Sequence, residues 1–174
     1  LLWTTSGQGT ILNASTLNPT YVPVNGETGI IYLTLTASGI VPCASVSDQM
    51  VLTILPAPIA IAGPDASICE GQSFTTTNAF AGYTGSVLWT TSGSGTFTDP
   101  TLAVTTYIPG ASDITAGSVV LTITSAGTPP CGDASDNLTL TINKTTVANA
   151  GNDDASCQNL PYQLTDATAT NYVS

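Results

Sequence analysis

Apolar and polar residues alternate along four stretches of the chain, with the period of two that is typical of β-strands. The apolar positions of these stretches are Ile31, Leu33 and Leu35; Met50, Leu52 and Ile54; Val119, Leu121 and Ile123; and Leu138, Leu140 and Ile142. No stretch has the period of a convincing amphipathic helix. The pattern predicts an all-β fold in which each of these strands buries one face.

The chain repeats itself. The hexapeptide Leu-Trp-Thr-Thr-Ser-Gly occurs twice, so that Trp3 and Trp89 lie 86 positions apart. The cysteines also repeat, at a spacing of 88, in the pairs Cys43 with Cys131 and Cys69 with Cys157. The drift from 86 to 88 indicates a small insertion between Tyr107 and Gly117. The chain is therefore predicted to be part of a tandem-repeat array.

The period divides the chain into one complete unit and two partial units. Residues 57–145 contain about seven short strands with frequent turns, which predicts one complete immunoglobulin-like repeat. Residues 1–56 match the C-terminal part of such a repeat, and residues 146–174 match the N-terminal part of the next. A Pro-containing linker, Leu55-Pro56-Ala57-Pro58, precedes the complete unit. We expect neighbouring sequence to complete both partial units, either along a longer chain or within a fibre.

Composition narrows the classes of partner. The chain has only 1 Lys or Arg against 11 Asp and Glu, and charged residues make up only 7% of it. Nucleic acids and anionic membrane surfaces require basic side chains, so binding to either is disfavoured. No apolar run is long enough to span a bilayer, which argues against membrane insertion of this segment.

Four cysteines at repeat-related positions indicate disulfides and an oxidising, extracellular setting. The first interpretation is a bridge within each repeat, from Cys69 to Cys131, with Cys43 and Cys157 pairing outside the sequence. Their turns are expected at opposite ends of a regular sandwich, too far apart for a disulfide unless the Gly63-Pro64 bend brings them together. A bridge from one repeat to its neighbour is the alternative.

Trp3 and Trp89 allow two interpretations. Exposed aromatic rings could stack on a carbohydrate, but a Trp on the third strand of an immunoglobulin-like sandwich normally packs in the core. We therefore expect both side chains to be core residues.

Calcium is the one metal that the sequence suggests. Asp113, Asp133 and Asp136 could gather near one end of the complete repeat, where carboxylate oxygens would suit Ca²⁺. Acidic turn residues also cap the backbone without any metal, and no Asp-x-Asp-x-Asp loop is present. No other cofactor is expected.

Catalysis is not expected. The chain has no His, which removes Ser-His-Asp, Cys-His and His-metal sites together. No pair of carboxylates lies in a pattern that suits glycoside hydrolysis.

Four motifs carry a resemblance to a known family. They are Leu-Trp-Thr-Thr-Ser-Gly-x-Gly-Thr, Thr-Tyr-x-Pro, Pro-Cys-x-x-x-Ser-Asp and Ala-Gly-Pro-Asp-x-x-Ile-Cys-Glu-Gly. With them the chain resembles, over essentially its whole length, the tandem PKD-like and immunoglobulin-like repeats of giant Bacteroidota surface proteins. These include gliding adhesins and other type-nine-secreted proteins. The resemblance implies an extracellular stalk, adhesin or filament, and it brings no catalytic residues.

The expected function is thus a structural repeat segment of a long cell-surface adhesin or filament. Its expected partners are neighbouring repeats of the same chain and further copies that assemble into fibres. Two alternatives remain open. One is a glycan-binding module that uses the turns at residues 6–9 and 92–95, and the other is an accessory domain of a secreted polysaccharide-degrading enzyme.

Overall fold

The computed structural model describes residues 1–172. It forms two compact units. The first comprises Leu1–Pro58 and Gly127–Gly132, and the second comprises Ile59–Ala126 and the chain from Asp133 onwards. Both units are built from β-strands, so the predicted all-β fold is confirmed.

The first unit contains five strands. They are β1 (Leu2–Thr5), β2 (Thr10–Leu12), β3 (Thr20–Val22), β4 (Gly29–Ala37) and β5 (Val46–Ile54). Strands β1, β4 and β5 form an antiparallel sheet in that order, and β2 pairs with β3 in a separate two-stranded sheet. The register places Leu33 opposite Met50, with β5 at the edge of its sheet.

The second unit contains eleven strands and one helix among its described residues. They are β6 (Ile59–Ile61), β7 (Ala66–Cys69), β8 (Phe74–Thr75), β9 (Phe80–Gly82), β10 (Ser86–Thr91), β11 (Thr96–Phe97), β12 (Thr106–Ile108), α1 (Ala111–Ala116), β13 (Ser118–Ala126), β14 (Ala134–Asn143), β15 (Val147–Asn149) and β16 (Thr168–Thr170).

Two main sheets of the second unit form an immunoglobulin-like β-sandwich. One has the strand order β10-β13-β14-β7, in which only β7 runs parallel to its neighbour. The other has the order β11-β12-β8. Strands β6 and β9 form a separate antiparallel pair, and β15 and β16 form another.

The core of this sandwich follows the predicted alternation. Val119, Leu121 and Ile123 of β13 are at most 3% exposed, and the same holds for the three apolar residues of β14. Trp89 and Tyr107 join them in one buried cluster. Period two therefore identified the inward faces of both long strands correctly.

Two local features differ from the expectation. Residues 59–68 are not a single bent strand. Gly63, with φ of 94°, separates β6, which pairs with β9, from β7, which pairs with β14. A glycine takes this positive φ without the steric cost of a side chain, so the chain can change sheets there.

The second difference is helix α1, which occupies the predicted insertion between Tyr107 and Gly117. It begins after Gly110 and ends at Gly117, whose φ of 77° is the left-handed conformation of a helix cap. Six residues are too few to show a helical period, which is why the sequence pattern did not predict it.

Candidate functional site

The Ser-Gly-Ser-Gly turn after β10 is held from inside the repeat by one buried carboxylate. Asp113, on the first turn of α1, is only 2% exposed. Its Oδ1 accepts a hydrogen bond from the Ser94 amide (2.8 Å), and its Oδ2 accepts one from the Gly95 amide (3.0 Å). Oδ2 also accepts bonds from the Gly110 amide (2.9 Å) and the Tyr107 hydroxyl (2.7 Å). One side chain thus joins the turn, the start of the helix and β12.

The protonation of Asp113 reflects this setting. Burial alone raises its pKa, but the hydrogen bonds from Tyr107 and the three backbone amides outweigh that effect and lower the pKa below its ordinary value. Burial and the neighbouring carboxylate raise the pKa of Tyr107. At neutral pH the site is therefore an ionised carboxylate that accepts hydrogen bonds from the amides of Ser94, Gly95 and Gly110 and from the Tyr107 hydroxyl.

The first unit contains the same arrangement with a longer acid. The Tyr21 hydroxyl donates to Glu27 Oε1 at 2.8 Å, and the Gln8 amide donates to the same oxygen at 2.7 Å. The Gly9 amide in turn donates to the Tyr21 hydroxyl at 2.9 Å. Sequence analysis missed both networks, although a signal exists, since an acid follows the tyrosine of Thr-Tyr-x-Pro by six positions in each repeat.

The glycines of the turn are explained by this packing. A Cβ on Gly93 would overlap the Asp113 carboxylate, and a Cβ on Gly95 would overlap the Tyr107 hydroxyl and the Ile108 carbonyl. The backbone passes too close to its own repeat for any side chain at these two positions. The turn is thus specified by contacts inside the repeat.

The two tryptophans lie in different surroundings. Trp89 is 2% exposed, and its Nε1 donates to the Ala103 carbonyl at 3.0 Å. Its ring stands 5.6 Å from that of Phe97, which stands 5.0 Å from that of Tyr107. Trp3 is half-buried, and its Nε1 has no hydrogen-bond partner within residues 1–172 although that atom is buried.

The predicted calcium ligands have separate roles. Asp113 belongs to the network above, and Asp136 accepts a hydrogen bond from the Ala62 amide at 2.9 Å. Within the part of the chain that the structure describes, no three His, Cys, Asp or Glu residues form a group that could hold a metal ion, so Asp113, Asp133 and Asp136 are not brought together.

None of the four cysteines is bonded to another in this structure. Cys43, Cys69 and Cys157 are exposed, whereas Cys131 is half-buried, with its Sγ 3.8 Å from the Pro56 carbonyl oxygen.

Strand β14 governs the distance between the two cysteines of the complete repeat. Cys69 pairs with Asn143 at the end of the strand, whereas Cys131 precedes its first residue, Ala134, by three positions. Ten residues at about 3.3 Å each extend for roughly 30 Å. The three positions from Cys131 to Ala134 span at most about 11 Å, so they can shorten the distance between the two cysteines by no more than that. A bridge between Cys69 and Cys131 of one repeat, which needs Cα atoms about 6 Å apart, is therefore out of reach.

The first unit has an open apolar cleft of about 350 Å³. Trp3, Leu33 and Met50 line it from the sheet, and Ile11 and Tyr21 line it from the β2–β3 side. Met50 is 47% exposed, although the alternation of β5 predicted an inward position. The equivalent β14 residue, Leu138, is 1% exposed.

Comparisons with known proteins find similarity among solved structures. No family model matches the chain, and no curated protein matches it. Among solved structures, the chain is similar to one titled "Protocadherin gammaB7 EC3-6 cis-dimer structure", with 16% sequence identity and a TM-score of 0.38. The match covers 97% of this chain and 50% of that one, so the chain spans half of that protein chain's length. No helix among the described residues is long and apolar enough to cross a membrane.

Proposed function

We propose that this chain is a structural repeat segment of a long extracellular adhesin or filament on a cell surface. The observation that carries the proposal is the repetition of one sandwich at backbone level. Hairpin β15–β16 lies 88 positions after hairpin β6–β9, and the Tyr-acid network of the complete repeat recurs around Tyr21. Residues 1–56, 57–145 and 146–174 are then part of one repeat, a complete repeat and part of the next.

The chemistry of the repeats supports a scaffold. The carboxylates that hold the Ser-Gly-x-Gly turns accept hydrogen bonds from those turns, so these groups are engaged inside the repeat. Trp89, the aromatic residue beside the second turn, is buried. These contacts favour a scaffold over the glycan-binding module. The motif resemblance supports a giant Bacteroidota surface protein, exported by the type-nine route, as the source.

Electron microscopy of the full-length protein taken from the cell surface tests this function. We expect long thin fibres with an axial spacing of one or two sandwich domains, because each repeat adds a fixed length. Compact isolated particles would refute the stalk or filament. A glycan-binding module or an enzyme-accessory domain would then be the favoured function.

We also propose that disulfides join successive repeats. Cys69 lies where the chain leaves the complete repeat, beside Asn143. Cys131 lies where the chain enters it, with its Sγ 3.8 Å from the Pro56 carbonyl oxygen of the linker. The leaving cysteine of one repeat and the entering cysteine of the next therefore belong to the same junction. Two thiols would give up two protons and two electrons to an oxidant disulfide, which would be reduced to two thiols.

Peptide mapping of the oxidised native protein without reduction tests the disulfide connectivity. We expect each Cys69-type peptide to be linked to the Cys131-type peptide of the following repeat. Samples that are reduced and alkylated before digestion are the control. A linked pair of Cys69 and Cys131 peptides from one repeat would refute the connectivity.

A further inference from the structure

Two segments of the complete repeat run side by side and in the same direction. The first segment, residues 58–69, contains β6 and β7, and the second segment, residues 131–145, contains β14. Strand β7 pairs with β14 in parallel, over four residues that end with Cys69 opposite Asn143. Both segments therefore lead from the end where the chain enters the repeat to the end where the chain leaves it.

The two segments keep one register beyond the ladder of β7 and β14. The Ala62 amide donates a hydrogen bond to Asp136 at 2.9 Å, and the Thr139 amide donates one to Asp65 at 2.7 Å. The two residues of each bond are 74 positions apart, which is also the separation throughout the β7–β14 ladder. The first segment thus follows the second without a slip from Ala62 to Cys69.

The period of the sequence brings the cysteines of successive repeats to one place. The Sγ of Cys131 lies 3.8 Å from the carbonyl oxygen of Pro56, in the linker before the complete repeat. One period of 88 positions separates Pro56 from Lys144, so the equivalent cysteine of the following repeat is expected at the Lys144 carbonyl. Lys144 follows Asn143, which stands opposite Cys69. A bridge there joins the end of one first segment to the start of the next second segment.

We propose that these bridges give the array two continuous covalent paths, which carry tension past the folded body of each repeat. One path enters the complete repeat along the first segment and crosses the bridge at Cys69 into the second segment of the next repeat. The other path arrives through the bridge at Cys131, follows the second segment, and continues along the backbone into the next first segment. Residues 70–130 lie outside both paths. This inference rests on the proposed filament and on the proposed bridges.

The two paths limit how far the array can be stretched. A repeat without bridges has 88 positions, which reach about 300 Å when fully extended. The first segment has 12 residues and the second has 15, so they reach only about 40 and 50 Å. The ten residues of β14 already span roughly 30 Å in the folded repeat. The bridged array should therefore lengthen by less than about 20 Å per repeat.

Single-molecule force spectroscopy of the full-length protein tests the two paths. The oxidised protein should show at most one unfolding step, whatever the number of repeats, because a chain held by its two termini crosses from one path to the other no more than once. The same protein after reduction and alkylation should unfold repeat by repeat, in steps of roughly 250 Å. Near-ultraviolet circular dichroism should show the same fold for both samples.

Asp65→Ala in one repeat separates the effect of the bridges from that of the β7–β14 pairing. The substitution removes the acceptor of the Thr139 amide, so the reduced protein should unfold this repeat at a lower force than the others. The oxidised variant should stretch no further than the oxidised unsubstituted protein, because hydrogen bonds do not carry the tension there. An additional step in the oxidised variant would refute the paths.

Steps of roughly 250 Å for every repeat of the oxidised protein would also refute the two paths. Steps of roughly 50 Å for every repeat would do the same, since a bridge from Cys69 to Cys131 within each repeat releases only the two segments. Fibres in electron microscopy together with either result would leave the filament standing and remove only the paths. Compact native particles together with an oxidised protein that does not lengthen would do the reverse.

Discussion

Replacement of Asp113 by alanine is expected to lower the free energy of unfolding of the complete repeat by about 3–5 kcal/mol, because it leaves several buried donors without an acceptor. The carboxylate accepts three backbone amides and the Tyr107 hydroxyl, and its side chain is 2% exposed. Hydrogen bonds to a charged group contribute more than neutral ones, and water has little access to replace this acceptor. The loss should therefore exceed that of an ordinary polar truncation.

Urea unfolding followed by the fluorescence of Trp89 measures this loss, in a Trp3→Phe background that leaves one tryptophan. Asp99→Ala is the control, since the Asp99 carboxylate accepts hydrogen bonds from the nearby Thr101, two residues further along the chain. That variant should change the unfolding free energy by less than about 1 kcal/mol. Equal effects of the two substitutions would show that the network does not hold the turn.

The Asp113 carboxylate should also make the free energy of unfolding depend on pH in the acidic range. Its pKa in the folded state is lowered from the ordinary value of 3.8, so its stabilising contribution is complete at pH values above 3.8. The contribution is lost as the pH falls from that value through the lowered folded pKa. Asp113→Asn should therefore make the stability less dependent on pH in this acidic range. An unchanged slope would mean that the ionised form is not what stabilises the turn.

The sequence was sufficient to predict the long strands β13 and β14 and their inward faces, but it did not reveal the network around Asp113. Alternation over β13 and β14 extends for nine and ten residues, which is enough for a period of two to stand out. The network depends on one acid whose partners are mostly backbone amides, and amides carry no sequence signal. The only sequence signal for the network is an acidic residue that occurs six positions after Tyr21 and again six positions after Tyr107.

The sequence also could not show which predicted faces are covered. Alternation fixes the face on which a side chain stands, but coverage of that face depends on another segment. Strand β5 shows this limit, because its apolar residues stand on the core side while Met50 is 47% exposed. The covering segment of a sandwich repeat comes from residues before its third strand, and in the first unit no such strand is present among residues 1–172.

Leu138→Ala and Met50→Ala, which change equivalent positions of two repeats, are expected to differ strongly in cost. Leu138 stands opposite Leu121 in the core, and its truncation should lower the unfolding free energy by about 3–4 kcal/mol through lost burial and a cavity. Met50→Ala should cost the isolated chain less than about 1 kcal/mol, because its side chain is already half in water.

Urea unfolding of the two variants in dilute solution measures this difference in stability. At low concentration, urea unfolding should show the large loss only for Leu138→Ala. A loss of several kcal/mol for Met50→Ala in the dilute chain would mean that the cleft is already closed within one molecule.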